Sequence, residues 1–149
     1  MSYCTKQHLI DAHGELELLQ LTDRDVSGVI DNAVLTTALT RADSLINQRL
    51  RAKGWNLPLD ANLILASNDL KNLAMDITRY YLHGHLNEIP KLVQTDFELA
   101  LKTLTEYVKN LLELDIGSPV STVITDSGVG DVGFSAPERI FTNDALKGF

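Results

Sequence analysis

Residues 62–85 read NLILASNDLKNLAMDITRYYLHGH. At helical spacing Leu63, Ala66, Leu70, Leu73, Ala74, Ile77, Tyr80 and Tyr81 fall in one stripe, the recurrence that an amphipathic helix buried on one broad face requires. No proline interrupts the stretch, and Gly84 stands where a C-terminal cap belongs. The spacing predicts one central helix from Asn62 to His85. At 1.5 Å per residue it would be roughly 30–35 Å long, about the width of a small domain. The other elements are expected to pack around it.

Working outward, two more long helices flank this one. From Asn32 to Lys53 the apolar positions are Val34, Leu35, Ala38, Leu39, Ala42, Leu45, Ile46 and Leu50. Arg49, Arg51 and Lys53 crowd the last turn, where the helix dipole favours cations, and Gly54 is the expected cap. Trp55-Asn56-Leu57-Pro58 makes the corner into the central helix. After Gly84, Pro90 suits a helix start. The third long helix then carries Leu92, Val93, Phe97, Ala100, Leu101, Leu104, Val108, Leu111 and Leu112, and ends before Gly117. At the N-terminus, Thr5 is a plausible cap for a short helix closed by Gly14, and Glu15–Leu21 adds one or two turns. The fold class is therefore all-α: a bundle of three long helices with short N-terminal helices as a fourth layer.

Composition changes at Gly117. Five of the nine glycines lie from there to Phe149, among apolar residues with no helical period. We divide the chain into a helical bundle domain, 1–116, and an extended C-terminal arm, 117–149. Within the arm VSTVIT alternates enough for a strand, and Asp126-Ser127-Gly128 would turn it into a short β-hairpin. Phe134, Arg139, Ile140, Phe141, Leu146 and Phe149 are the interface candidates. A free solvated tail has no use for so many apolar anchors, so the arm is expected to dock on a surface.

The 149 residues are 44% hydrophobic and carry a formal net charge of -7. That supports a folded chain and disfavours non-specific DNA binding, which rests on basic side chains neutralising phosphates. The single cysteine, Cys4, excludes an internal disulfide. The start, MSYCTKQHLIDAHG, lacks the apolar core of a signal peptide, and no run is long enough to span a membrane. A chain made and kept in a cytoplasm is expected.

For chemistry the sequence offers little. Asp23-Arg24-Asp25-Val26-Ser27-Gly28 resembles the opening of an EF-hand loop, with oxygen ligands Asp23, Asp25 and Ser27 at positions one, three and five and glycine at six. The twelfth position is Val34, where a bidentate Glu is needed. The competing reading is a polar loop in which Asp caps backbone groups and Gly28 takes a positive φ, and the missing ligand favours it. His83 and His85 lack a third ligand at metal-site spacing and suit a helix C-terminus. Asp76 and Arg79, three apart, fit a local ion pair better than a pocket pair, and nothing places Glu15 and Glu17 over a cleft. Cys4 has no partner for nucleophilic catalysis and reads as a small buried group. No P-loop, GxGxxG, GxSxG or HExxH is present, so no catalytic residue and no cofactor is assigned, and no enzyme activity is expected.

The wider pattern carries a resemblance. It runs through Tyr3-Cys4-Thr5, Gly14-Glu15-Leu16-Glu17-Leu18, Gln20-Leu21-Thr22-Asp23-Arg24-Asp25, Gly28, Ile30-Asp31, Val34-Leu35, Ala38-Leu39, Ala42-Asp43 and Ile46. It continues in Leu57-Pro58-Leu59, Ala74-Met75-Asp76-Ile77, Arg79-Tyr80 and Leu82-His83, and ends in Arg139-Ile140-Phe141, Asp144, Leu146, Gly148 and Phe149. In this the chain resembles a family of Mu-like bacteriophage and prophage structural proteins, similar to the head–tail connectors, or head-completion proteins, of tailed phages. The resemblance departs at Asn62-Leu63-Ile64 and in the glycine-rich DSGVGDVG segment. It implies a virion structural protein in the neck, assembled in the host cytoplasm. Its partners would be further copies of itself in a homo-oligomeric ring, the portal protein and a tail-completion protein. DNA would pass through without specific binding, and no membrane is involved. Two other readings stay open: a phage DNA-packaging or DNA-binding accessory protein using Arg49, Arg51 and Lys53, and a small metal-dependent enzyme.

Overall fold

The computed structural model of the protein describes residues 2–86, 88–117 and 119. The chain divides into two units, Met1–Pro119 and Val120–Phe149; the first is described below, and of the arm expected over 117–149 all but residues 117 and 119, the hairpin included, lies outside the described residues. The described residues form six helices and no strand: α1 (Lys6–His13), α2 (Glu15–Thr22), α3 (Asn32–Lys53), α4 (Ala61–Ala66), α5 (Asn68–His83) and α6 (Lys91–Val108). This is the all-α bundle the patterning requires, with α3, α5 and α6 packed on one another, α2 against α3 and α5, and α1 against α2.

Local chemistry sets the helix ends. The Thr5 hydroxyl accepts from the His8 N–H at 3.3 Å while His8 Nδ1 accepts from the Thr5 N–H at 3.3 Å, a reciprocal cap on α1. Asp31 caps α3 by accepting from the N–H groups of Ala33 and Val34 at 2.7 and 3.3 Å. Gly54 closes the same helix at φ 101°, a left-handed conformation that suits glycine.

The stripe of residues 62–85 is not one helix. It breaks at Ser67, which ends α4 and caps α5; the Ser67 hydroxyl accepts from the Leu70 N–H at 3.0 Å. The carboxylate of Asp115 reinforces this break, accepting from the Ser67 hydroxyl at 2.5 Å and the Asn68 N–H at 2.6 Å. In return Asp69 accepts from the Asp115 N–H at 2.8 Å. A partner 48 residues away thus fixes the start of the central helix. Gly84 does cap α5, but in right-handed rather than left-handed geometry. The third helix is also shorter than its apolar pattern: α6 stops at Val108, and Asn110 turns the chain away at φ 59°. Leu111 and Leu112 are exposed instead of extending the stripe.

Two apolar clusters hold the body. The larger lies between α3, α5 and α6 and contains Ile46, Leu50, Leu70, Ile77, Leu104 and Tyr107, all fully buried. Leu114 and Ile116 join it from the segment after α6. The smaller joins α1 and α2 to the first half of α3 and the end of α5 through Leu9, Leu18, Leu21, Leu35 and Leu82. Leu39, Met75 and Tyr81 touch both clusters, so the N-terminal helices are part of one body. Tyr80 stacks on Phe97 with ring centroids 3.9 Å apart, joining α5 to α6.

Candidate interaction site

The two ends of the bundle differ in chemistry. At one end α3 and α6 finish and α5 begins. There Lys53 Nζ donates to the Tyr107 carbonyl at 2.9 Å and to Asn110 Oδ1. Trp55 Nε1 donates to the Tyr107 hydroxyl at 2.6 Å, which donates to the Gly117 carbonyl at 2.7 Å. Beside these ties stands the turn Lys109-Asn110-Leu111-Leu112-Glu113, every residue of it exposed and Leu111 at 74%.

At the other end α3 begins. Lys6, Glu15, Leu16, Leu19, Gly28, Val29 and Ile30 line a groove of about 360 Å³ between the N-terminal helices and the loop before α3. Leu16 is 70% exposed and Val29 66%. Ile30 is buried and roots the groove in the smaller cluster. Lys6 Nζ donates to Asn32 Oδ1 at 3.4 Å, placing the groove at the first residue of α3. A second groove, of about 300 Å³, lies where the start of α3 meets the last turns of α5, lined by Arg24, Thr37, Arg41 and Tyr81.

The loop leading into the first groove contains the EF-hand-like residues. Asp23 Oδ1 accepts from the N–H and hydroxyl of Ser27 at 2.7 and 2.9 Å, and Oδ2 accepts from the Gly28 N–H at 2.6 Å. These donors, the Ser27 N–H foremost, hold the Asp23 carboxyl below the usual carboxylate range. Both oxygens are thus used in shaping the loop, with Gly28 at φ 73°. Asp25 and Ser27 are exposed, and Val34 at the twelfth position is half-buried in the first turn of α3. Among the described residues no three His, Cys, Asp or Glu side chains are grouped to hold a metal ion.

Arg79 corrects a local reading of the sequence. Its guanidinium pairs with neither the i−3 carboxylate nor any other group of its own helix. Arg79 Nε donates to Glu17 Oε1 on α2 at 2.7 Å, and its terminal nitrogen lies 3.9 Å from Asp96 Oδ2 on α6. The salt bridge therefore joins three helices. Asp76 is left half-buried, and burial, with the Asp96 charge nearby, pushes its carboxyl up to about 6. His13 lies by the same cluster; burial and then the Arg79 charge hold its imidazole below the usual value, and its Nε2 is buried without a partner.

The remaining singled-out residues are structural in their contacts. Cys4 is buried in the larger cluster, and burial raises its thiol to about 11. His83 and His85 place Nδ1 against the carbonyls of Arg79 and Leu82 at 2.9 and 2.7 Å, in the last turn of α5 and just beyond it. Of the basic trio, Arg51 is exposed, Arg49 is half-buried and Lys53 is engaged by the end of α6. The interface candidates Phe134, Arg139, Ile140, Phe141, Leu146 and Phe149 lie outside the described residues. The Leu16–Val29 groove and the exposed Leu111–Leu112 turn were missed from sequence. For the groove a signal was available in Leu16 and Val29, which no helical stripe placed inward; Leu111 and Leu112 were instead read as the inward stripe of a longer third helix, which in fact stops at Val108.

No described helix is long and apolar enough to cross a membrane. No curated protein matches the chain. The family model for bacteriophage Mu, Gp36 matches residues 3–129, a span that takes in the described bundle from its first cap to Pro119. The chain is a member of the bacteriophage Mu Gp36 family, a Mu-like phage protein.

Proposed function

We propose that this chain is a non-enzymatic virion protein, the subunit of a head–tail connector ring between portal and tail. The observation that carries the reading is the family match over residues 3–129, joined to a body whose two ends each present exposed apolar side chains. A closed ring of identical copies needs two different, mutually fitting surfaces on each subunit, and a single symmetric patch would give only a pair. The net charge of -7 suits a channel along which DNA slides without adhering. Residues 117–149 would serve as the arm, with Arg139, Ile140 and Phe141 among its contacts to a neighbouring copy or to the portal.

A phage carrying a stop codon in place of Tyr3 tests the role. The expected result is DNA-filled heads and finished tails that do not join, restored by supplying the chain in trans. Heads that remain empty would replace the connector with a packaging accessory. Joined, infectious particles would remove the neck role altogether.

A further inference from the structure

We propose that neighbouring copies meet end to end, the Lys109–Glu113 turn of one copy seated in the Leu16–Val29 groove of the next. The inference rests on the ring reading above and supplies its body-to-body contact. The two surfaces are at opposite ends of α3, separated by about 33 Å for a helix of this length. One copy therefore cannot bring its own turn into its own groove. The contact is necessarily between copies and is heterologous, the type that generates rings when the rotation per copy closes.

The chemistry of the two surfaces is complementary. The groove offers Leu16 and Val29, exposed on either side, with Lys6 and Glu15 also lining it. The turn offers Leu111 and Leu112 between Lys109 and Glu113. The turn is seated with Lys109 toward Glu15 and Glu113 toward Lys6, the orientation in which each apolar contact is framed by opposite charges. An anchor of buried leucine with a charged rim is the usual anatomy of a specific protein contact. The turn is also held in shape: Asn110 Oδ1 is fixed by Lys53, and Leu114 and Ile116 are buried directly after it. A preorganised segment loses less freedom on docking than a loose one.

Charge reversal in the full-length chain tests this, with self-association followed by sedimentation at low salt. Glu15→Lys and Lys109→Glu should each weaken association about tenfold, since each places like charges across the contact. The double variant E15K/K109E should recover to near the parent. All three residues of the test set, with Leu111→Glu as an apolar control, are exposed, and circular dichroism should show unchanged helix. A V29C/L111C chain should form disulfide-linked multimers on oxidation, because the native Cys4 is buried. If the parent assembles but the single reversals do not weaken it, or the double is not rescued, this contact is wrong and the ring survives. If it forms open filaments through the rescued contact, the contact stands and the ring fails. If the parent stays monomeric and V29C/L111C never cross-links, both fall.

Discussion

Replacing Arg79 with Met removes the charge that joins α2, α5 and α6 while keeping much of the apolar stem. Arg79 is 18% exposed and Glu17 30%, so their 2.7 Å pair is partly shielded from water. A hydrogen bond to a charged group contributes about 1.5–3 kcal/mol. The Asp96 contact, at 3.9 Å and about one-third exposed, adds roughly 0.5 kcal/mol. The expected loss is about 2–3 kcal/mol at pH 7. At roughly 3–5 °C per kcal/mol for a body this size, Tm should fall by about 6–15 °C. The loss should also depend on pH. Without the Arg79 charge, Asp76 and Asp96 repel unopposed, so the Asp76 pKa rises further above its unfolded value. A carboxyl with a raised folded pKa gives stability that is present at low pH and disappears as pH climbs through that pKa. The deficit of Arg79→Met should therefore shrink as pH falls from 7 to 5. Thermal melts across that range, with Glu17→Gln in both backgrounds as a double-mutant cycle, measure each part. A loss under 0.5 kcal/mol at pH 7, or coupling to Glu17 near zero, would refute the reasoning.

Asp76→Asn should stabilise the protein at pH 7.5 and be nearly neutral at pH 4; the raised carboxyl, at about 6, sets that window between roughly pH 4 and 6. The full linkage value is about 3 kcal/mol, and solvent screening at a half-buried site cuts it to about 1–2; a variant with an unchanged pH–Tm slope would count against it. His13 works in the opposite sense, its depressed imidazole withdrawing stability as pH falls below about 6.5, so His13→Gln should flatten the acid limb of the same curve. Ile77→Asp, at a fully buried position, should cost about 3–5 kcal/mol, and a melt within a degree of the parent would show that the stripe faces elsewhere. Chelator-treated protein should melt unchanged when calcium is restored, because Asp23 already spends both oxygens on Ser27 and Gly28; a calcium-dependent rise in Tm would overturn that.

Much of the fold was legible in local chemistry. The bounds of α3 follow from Asp31 before it and Gly54 after it, and those of α1 from Thr5 and Gly14, because caps act within a turn of the residues they satisfy. What was not legible depended on distant partners. Ser67 interrupts a continuous apolar stripe because Asp115 is there to meet it, and only the Ser-Asn-Asp sequence at 67–69 hinted at a helix start. Asn110 ends α6 without glycine or proline, using the left-handed conformation that asparagine tolerates. Arg79 passes over Asp76, three residues away, for Glu17, which is 62 residues away. The candidate contact surfaces share this character, since periodicity finds the residues that face inward and says little about which outward residues lie together.

The ties around Gly117 also give the body a mechanical property. After α6 the chain is tied twice, where Asp115 clamps the start of α5 and where Gly117 accepts from Tyr107. A pull on the segment at Gly117 would load these bonds first, at the start of α5 and in the last turn of α6. Tension applied there is shared between α5 and α6 instead of peeling one helix from its end.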